Sequence, residues 1–168
     1  MIVSNSSPLI YLAKLKKLSL LKVLFKEILI PHEVYEEVVI SGKEGKFIDA
    51  LIVERAKEEG WLRIGKPLEK KELKAFGEDI DEGEIAAIVL AKKQNADLLI
   101  IDDASARTIA QSFGLRVKGT IFVILTAYKK KILTKEEVKR LMKQLISEGF
   151  RISLELYAQV LEEIEKVH

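Results

Sequence analysis

Carboxylate side chains are the groups in this sequence best suited to chemistry. The stretch "LLIIDD" places two adjacent aspartates, Asp102 and Asp103, directly after a run of aliphatic residues. The 168-residue chain has no cysteine and only two histidines, His32 and His168. Thiolate nucleophiles, disulfides and zinc sites built from cysteine and histidine are therefore excluded. Any hydrolytic chemistry must rest on carboxylates.

A second group of acids lies at the start of a helical pattern. In "DIDEGEIAAIVLAKK" the helix is expected to begin near Asp81. At about 100° per residue, Asp81 and Glu84 share a face with Ile88 and Ala91, so two carboxylates lie above an inward-facing stripe. The same pair also fits a helix capping box, which is an ordinary structural role.

A third group of acids lies in "PHEVYEEVV". Val34 and Val38 mark the buried side of this helical pattern, and Glu37 is the glutamate nearest to it. Glu33 and Glu36 are predicted to point further toward solvent. Glutamates that flank an apolar stripe are usually solvated, so the structural alternative also stands for Glu37.

The elements that must position these acids belong to a parallel α/β sheet. Short aliphatic runs alternate with longer stretches of helical period, as expected for strands covered on both faces. The predicted strands span residues 2–5, 28–30, 61–64, 98–101 and 115–117, and the predicted helices span residues 8–24, 32–40, 46–59, 81–94, 104–113 and 120–131. Ser7 and Pro8 are expected to cap and begin the first helix. The stretches "SGKEGK" and "IGKPLEKKELKAFGEDIDEG" are predicted to be exposed loops.

Several acids should meet at one edge of this sheet. In open α/β sheets ligands gather outside the carboxyl ends of the strands, where Asn5, Asp102 and Asp103 lie. Carboxylates that converge there repel one another unless a cation lies among them. The sequence therefore predicts a metal site, with helix capping by Asp103 as the structural alternative.

Five segments together resemble the PIN-domain family. They are "VSNSSPLIYLAKL", "IPHEVYEEVV", "DEGEIAAIVLA", "LLIIDDASAR" and "VKGT", in family order over roughly residues 1 to 130. The first is similar to the Asp-Thr/Ser-Ser-Pro-Leu-Ile motif of the branch that contains VapC-like toxin ribonucleases. The resemblance implies an α/β, three-layer fold with a short parallel sheet of order 3-2-1-4-5 flanked by helices. It also implies hydrolysis of RNA with Mg²⁺ or Mn²⁺, and a small antitoxin as partner.

The resemblance also implies a role for individual residues. The catalytic, metal-binding acids correspond to Glu37, Glu84, Asp102 and Asp103, with either aspartate as the ligand. Supporting positions correspond to Ser6, Ser7, Asp81 and Thr120. RNA-binding lysines would be Lys14, Lys17, Lys129 and Lys130, which could equally be solvated ends of helices.

Asn5 departs from the family pattern, in which the first strand ends in aspartate. Its amide oxygen can coordinate a metal but brings no negative charge. The domain is therefore either a ribonuclease impaired by Asn5 or a non-catalytic PIN-fold module that binds RNA or a protein. A receiver-like domain would need an acidic pair after the first strand, and a Rossmann enzyme would need Gly-x-Gly-x-x-Gly after a strand; neither pattern occurs.

The C-terminal segment is predicted to be a helical extension, residues 134–168, of a PIN-like domain at residues 1–133. Thr134 and Glu137 form the capping box of its first helix. In its second helix an apolar stripe contains Leu154, Tyr157 and Leu161. This stripe packs on its own domain or joins two copies in a homodimer with two-fold symmetry. With no long apolar run and no signal-peptide pattern, we expect a cytoplasmic protein.

Overall fold

The computed structural model describes residues 1–76 and 79–166. Its strands are β1 (Ile2–Ser4), β2 (Ile28–Ile30), β3 (Leu62–Ile64), β4 (Leu98–Ile100) and β5 (Val117–Lys118). They form one parallel sheet in the order β3-β2-β1-β4-β5. Val3 at the centre pairs with Leu29 on one side and Leu99 on the other. The predicted fold class and strand order are confirmed.

Helices alternate with these strands along the chain and continue after the last strand. They are α1 (Ser6–Lys14), α2 (Ser19–Phe25), α3 (His32–Tyr35), a π-helix (Glu36–Ser41), α4 (Gly42–Glu44), α5 (Ile48–Glu58), α6 (Lys70–Lys74), α7 (Glu82–Lys93), α8 (Ala104–Ser112), α9 (Thr120–Lys129), α10 (Lys135–Ser147) and α11 (Leu154–Glu165). The core beside the sheet is aliphatic, with Val3, Leu99 and Ile101 fully buried against the α7 residues Ala87 and Ile88. Across residues 1–76 and 79–166, no helix is long and apolar enough to cross a membrane.

Three predictions about local structure are wrong. The predicted helix at residues 8–24 is two helices, because Lys16 adopts a left-handed backbone with φ 56° between them. Its cap is Asn5 and its first residue is Ser6, so Ser7 and Pro8 lie inside the first turn. The two predicted loops contain α4 and α6, and residues 77 and 78 of the second loop lie outside the described residues. Helix α6 starts with a capping box between Glu69 and Glu72.

The helical pattern at residues 32–40 changes type in its middle. After one turn of α-helix the chain continues as the six-residue π-helix, which carries Glu37. A π-helix has more residues per turn, so the adjacent residues Val38 and Val39 are both buried. The orientation of side chains here therefore departs from the α-helical period used in the sequence argument.

Residues with a positive φ follow the C-terminal ends of many of the helices. Glycine takes this position after α5, α8 and α10, at Gly60, Gly114 and Gly149. Lysine or asparagine takes it elsewhere, at Lys16, Lys26, Lys46, Asn95 and Lys131. Lys26 has φ 67° and ψ −47°, and the Glu27 N–H donates to the Phe25 carbonyl at 2.8 Å, which is a γ-turn.

The chain divides into two compact units, Met1–Thr120 and Ile121–His168. In the second unit, Val138, Leu141 and Leu145 of α10 are buried, and the capping box of Thr134 and Glu137 is confirmed. The predicted domain boundary after residue 133 lies inside this second unit and stays a prediction.

Candidate active site

Asn5 marks the carboxyl end of β1 and is 3% exposed. Its backbone N–H donates to the carbonyl of Ile100 in β4 at 2.9 Å, which fixes it at the edge shared by the two central strands. Its side-chain Oδ1 is buried and has no hydrogen-bond partner within residues 1–76 and 79–166. Because an unpaired buried carbonyl oxygen is costly, this atom is suited to bind a ligand.

Glu37 reaches the same edge from the π-helix. The hydroxyl of Ser6, at the start of α1, donates to Glu37 Oε2 at 2.5 Å. Gly83, in the first turn of α7, makes room for this contact. A Cβ at Gly83 would lie 2.9 Å from Glu37 Oε2 and 3.6 Å from Ser6 Oγ. The starts of α1 and α7 therefore hold the Glu37 carboxylate between them.

Glu84 is the acid whose pKa is raised by neighbouring carboxylates as well as by burial. The backbone N–H of Asp81 donates to Glu84 Oε2 at 3.1 Å, and the pair forms the capping box of α7. Burial raises the pKa of Glu84, the Asp81 N–H lowers it, and the nearby carboxylates of Asp103, Asp81 and Glu37 raise it further. These acids are thus close enough to repel one another.

The two adjacent aspartates have different surroundings. Asp102 is engaged through both oxygens, because the Thr120 N–H donates to Oδ1 at 2.7 Å and the Thr120 hydroxyl donates to Oδ2 at 2.6 Å. Burial raises the pKa of Asp102, whereas the two hydrogen bonds and the charge of Arg107 lower it. Asp103 is exposed and caps α8 by accepting the Ala106 N–H at 2.8 Å. Asp103 is the member of the pair whose charge raises the pKa of Glu84.

Glu33 is a candidate site residue that its position in the sequence did not indicate. It is half-buried, and its Oε1 accepts the backbone N–H of Leu68 at 2.7 Å, while Oε2 is buried without a hydrogen-bond partner among the described residues. The prediction that Glu33 points toward solvent is wrong, because the chain that follows β3 covers it. Periodicity within one helix contains no information about a cover supplied by a distant segment.

A pocket of about 320 Å³ connects several of these acids, and we call it the acidic crevice. It is lined by Glu33, Glu36, Glu37, Asp81, Glu82 and Gly83. The other predicted residues lie around or away from it. Ser7 is half-buried in α1, and Lys14 lines a neighbouring pocket that also contains Glu37. Lys17 follows α1, whereas Lys129 and Lys130 belong to the second compact unit, where Lys129 pairs with Glu163 at 3.1 Å.

The donor atoms at this edge fit a hard divalent cation in their chemistry. Carboxylate oxygens and one unpartnered amide oxygen are ligands that Mg²⁺ and Mn²⁺ accept. Within the described ranges, no three acidic or histidine side chains already converge on one point as a metal site. Three of the acids instead accept hydrogen bonds from the protein itself. The donors are Ser6 for Glu37, Asp81 for Glu84 and Ala106 for Asp103.

Comparison with known proteins identifies the family. A family model described as "DUF3368: PIN domain" matches residues 1–166. The chain belongs to this PIN-domain family. The match includes residues 134–166, which the motif resemblance did not reach. PIN domains are typically metal-dependent nucleases that use divalent ions.

Among solved structures, the PIN domain is similar to a PilT N-terminus domain protein from the hyperthermophilic archaeon Sulfolobus solfataricus P2. The two share 17% sequence identity with a TM-score of 0.54, over 76% of this chain and 93% of that chain. At this identity the likeness shows the fold alone. No curated protein matches the sequence.

Proposed function

We propose that this PIN domain is a metal-dependent ribonuclease. The residues proposed to hold Mg²⁺ or Mn²⁺ are Asn5, Glu37, Glu84 and Asp103. One observation carries the proposal: Asn5 presents a buried, unpartnered oxygen directly before Ser6, which contacts Glu37, and Glu37 is one of the carboxylates that raise the pKa of Glu84. A cation there would satisfy the Asn5 oxygen and relieve the repulsion between the acids.

The neighbouring groups of the chain orient these ligands. The Ser6 hydroxyl donates to Oε2 of Glu37, and the Asp81 N–H donates to Oε2 of Glu84. Among residues 1–76 and 79–166, no hydrogen bond engages Oε1 of either glutamate. When bound, a divalent cation lowers the pKa of water and neutralises charge on a phosphate. Asp102 takes a supporting role in this proposal, because each of its oxygens accepts a hydrogen bond from Thr120.

The proposal has a direct test in RNA cleavage. Purified protein with mixed RNA and Mn²⁺ should produce fragments, and Glu84→Gln should abolish them because it removes the charge at the centre of the acidic group. Glu58→Gln, at an exposed position of α5, is the matched control and should cleave like the parent protein. Cleavage that persists unchanged in Glu84→Gln would refute the assignment.

Asn5 favours a second candidate function. With an amide in place of a carboxylate, divalent binding is weaker, and the domain could bind RNA or a protein without cutting. Mn²⁺ that stabilises the protein while every RNA remains intact would support this non-catalytic module over the nuclease.

The resemblance to VapC-like toxins adds a proposed partner. A small antitoxin that covers the acidic crevice would inhibit cleavage of cellular RNA. With such a substrate, we propose that both proteins act in the cytoplasm. The protein encoded beside this gene, when co-expressed, should co-purify with the chain and suppress its ribonuclease activity. A neighbouring product that neither binds nor inhibits would leave a free-standing nuclease.

A further inference from the structure

A second pocket adjoins the acidic crevice through Glu37, which lines both. It has a volume of about 280 Å³ and is also lined by Lys14, Val38, Phe47 and Asp49. We call it the Phe47 pocket. Because the two pockets share Glu37, a strand of RNA in the crevice would place its next nucleotide at this pocket.

Phe47 is an unusually open aromatic residue. It is 59% exposed, although burial of an aromatic ring is strongly favourable. One edge of the ring rests on the bare backbone of Gly45, where a Cβ would lie 2.5 Å from Cε2. Since Gly45 has φ −76°, an ordinary value, its lack of a side chain serves the ring position rather than a turn. The ring therefore packs on this glycine and leaves most of its surface open to solvent.

Asp49 gives the same pocket a polar recognition group. It is half-buried in the first turn of α5, and its carboxylate has no hydrogen-bond or ion-pair partner among the described residues. A carboxylate accepts hydrogen bonds from the amino group of cytosine, and the edges of unpaired bases are accessible in single-stranded RNA. The aromatic ring could stack on the face of a nucleobase while the carboxylate accepts a hydrogen bond from the edge of the same base.

We propose that the Phe47 pocket is a base-binding subsite, in which Phe47 stacks on the nucleobase beside the cleaved phosphate and Asp49 accepts a hydrogen bond from that base's amino group. The inference rests on the proposed ribonuclease function and adds a preference for bases with an amino group over uracil. Lys14, on the wall of the pocket, lies where the adjoining phosphate would pass.

A protein partner is the competing occupant. Ile48 and Leu51, next to Phe47 in the chain, are 73% and 53% exposed, so the neighbouring surface is apolar as well. Neither of them lines the pocket, whose apolar wall consists of Phe47, Ile10 and Val38. The same pocket contains the charged groups of Lys14, Glu37 and Asp49, and it shares Glu37 with the acidic crevice. That combination favours a nucleobase over an apolar protein surface.

The test measures binding of a short single-stranded RNA by fluorescence anisotropy, in Mg²⁺ and with phosphorothioate linkages that slow hydrolysis. Phe47→Leu removes the ring and should weaken binding about five- to a hundredfold, the range for loss of one stacking side chain. Phe47→Tyr keeps a ring and should bind like the parent protein. Leu51→Ala, exposed but outside the pocket, is the control. Oligocytidine should bind more tightly than oligouridine, and Asp49→Asn should reduce that preference about fivefold.

A 2-aminopurine base in the RNA supplies a readout specific to stacking. Its fluorescence should be quenched on binding to the parent protein and should recover with Phe47→Leu. If the parent protein binds and cleaves RNA but Phe47→Leu binds equally well, the subsite is refuted while the nuclease stands. A parent protein that binds no RNA refutes both. Unchanged RNA affinity together with a lower molar mass in Phe47→Leu would show a protein contact instead, which also refutes the subsite.

Discussion

At the scale of single residues, Asn5 determines how strongly the proposed metal site can bind a cation. Asn5→Asp introduces a buried negative charge that other carboxylates repel. The metal-free protein should therefore lose about 1–3 kcal/mol or more of its free energy of unfolding. Mn²⁺ should then bind about tenfold more tightly, a gain of about 1.4 kcal/mol. Thermal unfolding with and without Mn²⁺ measures both effects, since a ligand that binds only the folded state raises the melting temperature.

Asn95→Asp is the matched control for this experiment. Asn95 is exposed at the end of α7 and has a left-handed backbone that aspartate tolerates. Its substitution should change neither the melting temperature without metal nor the response to Mn²⁺. Asn5→Asp that behaves like Asn95→Asp would show that position 5 is not a ligand.

The hydrogen bonds between Thr120 and Asp102 should be important for stability. Thr120→Val keeps the shape but removes the hydroxyl that donates to Asp102 Oδ2, leaving a buried oxygen unpaired at a cost of about 1–3 kcal/mol. Burial already raises the pKa of Asp102, so folding penalises its ionised form. That penalty develops as pH rises above the usual aspartate pKa and is absent below it. The variant should therefore be most destabilised near neutral pH.

Urea unfolding at about pH 7 and at about pH 4 measures this difference. Thr108→Val is the control, because the Thr108 hydroxyl makes an exposed bond to the Ala104 carbonyl at 3.0 Å. It should have little effect at either pH. Equal destabilisation of Thr120→Val at both pH values would show that the hydroxyl does not interact with a charge.

Residue by residue, the sequence placed the candidate acids along the chain but could not assign their contacts. The aspartate pair was expected at the end of β4, but its two members could not be distinguished, because the partner of Asp102 is Thr120, far along the chain. Glu33 was assigned to solvent for the same reason, since its cover comes from Leu68. Long-range contacts of this kind leave no trace in local spacing.

At the scale of elements, the parallel sheet was predictable because buried strands are short and aliphatic. Four of the five strands were predicted to within one residue at each end. The weakest prediction was β5, which contains only Val117 and Lys118 and is shifted toward the C-terminus. The π-helix was not predicted, because its extra residue per turn depends on packing against α1 and α5 rather than on propensity.

The close approach of α7 to Glu37 predicts an unusual effect of Gly83→Ala. Alanine normally stabilises a helix relative to glycine, by about 0.5–1 kcal/mol. Here its Cβ would displace the Glu37 carboxylate from Ser6. We expect stability to stay within about 1 kcal/mol of the parent value, with Mn²⁺ affinity reduced several-fold in calorimetric titration.

Glu37→Ala provides the background that isolates this contact. Without the Glu37 carboxylate, the Cβ at position 83 meets no charged group, and Gly83→Ala should leave the residual Mn²⁺ affinity unchanged. The two substitutions would then be strongly non-additive, as expected for residues in contact. Additive losses in the double variant would contradict a shared role.

At the scale of the whole molecule, the apolar stripe of α11 predicts a homodimer. Val160 and Ile164 are buried, but Leu154 is 89% exposed, and Ile146 of α10 is 45% exposed. Leu154→Glu should convert a species of twice 19.0 kDa into one of 19.0 kDa in light scattering. Leu154 is a cleaner probe than Leu161, which is half-buried, so a glutamate at 161 would also disturb folding.

Val23→Glu is the control for the dimer. Val23 is 58% exposed in α2, so the substitution introduces the same charge at another open apolar position. It should leave the molar mass unchanged. A parent protein of 19.0 kDa at micromolar concentration would show that the stripe serves no subunit contact.

The lysines with a positive φ after helices are positions where substitution could raise the thermal stability of this fold. Lys16, Lys26 and Lys131 hold backbone conformations that glycine adopts without strain, and none of them lines the acidic crevice or the Phe47 pocket. Each lysine with a positive φ costs about 1 kcal/mol, partly offset by its favourable charge at a helix C-terminus and by the greater entropy that glycine would have in the unfolded chain. Since substitutions at independent sites add, we expect glycine at all three positions to raise the stability of the protein without changing the residues of the proposed metal site. Such a variant could remain folded with destabilising substitutions in the crevice that would unfold the natural chain.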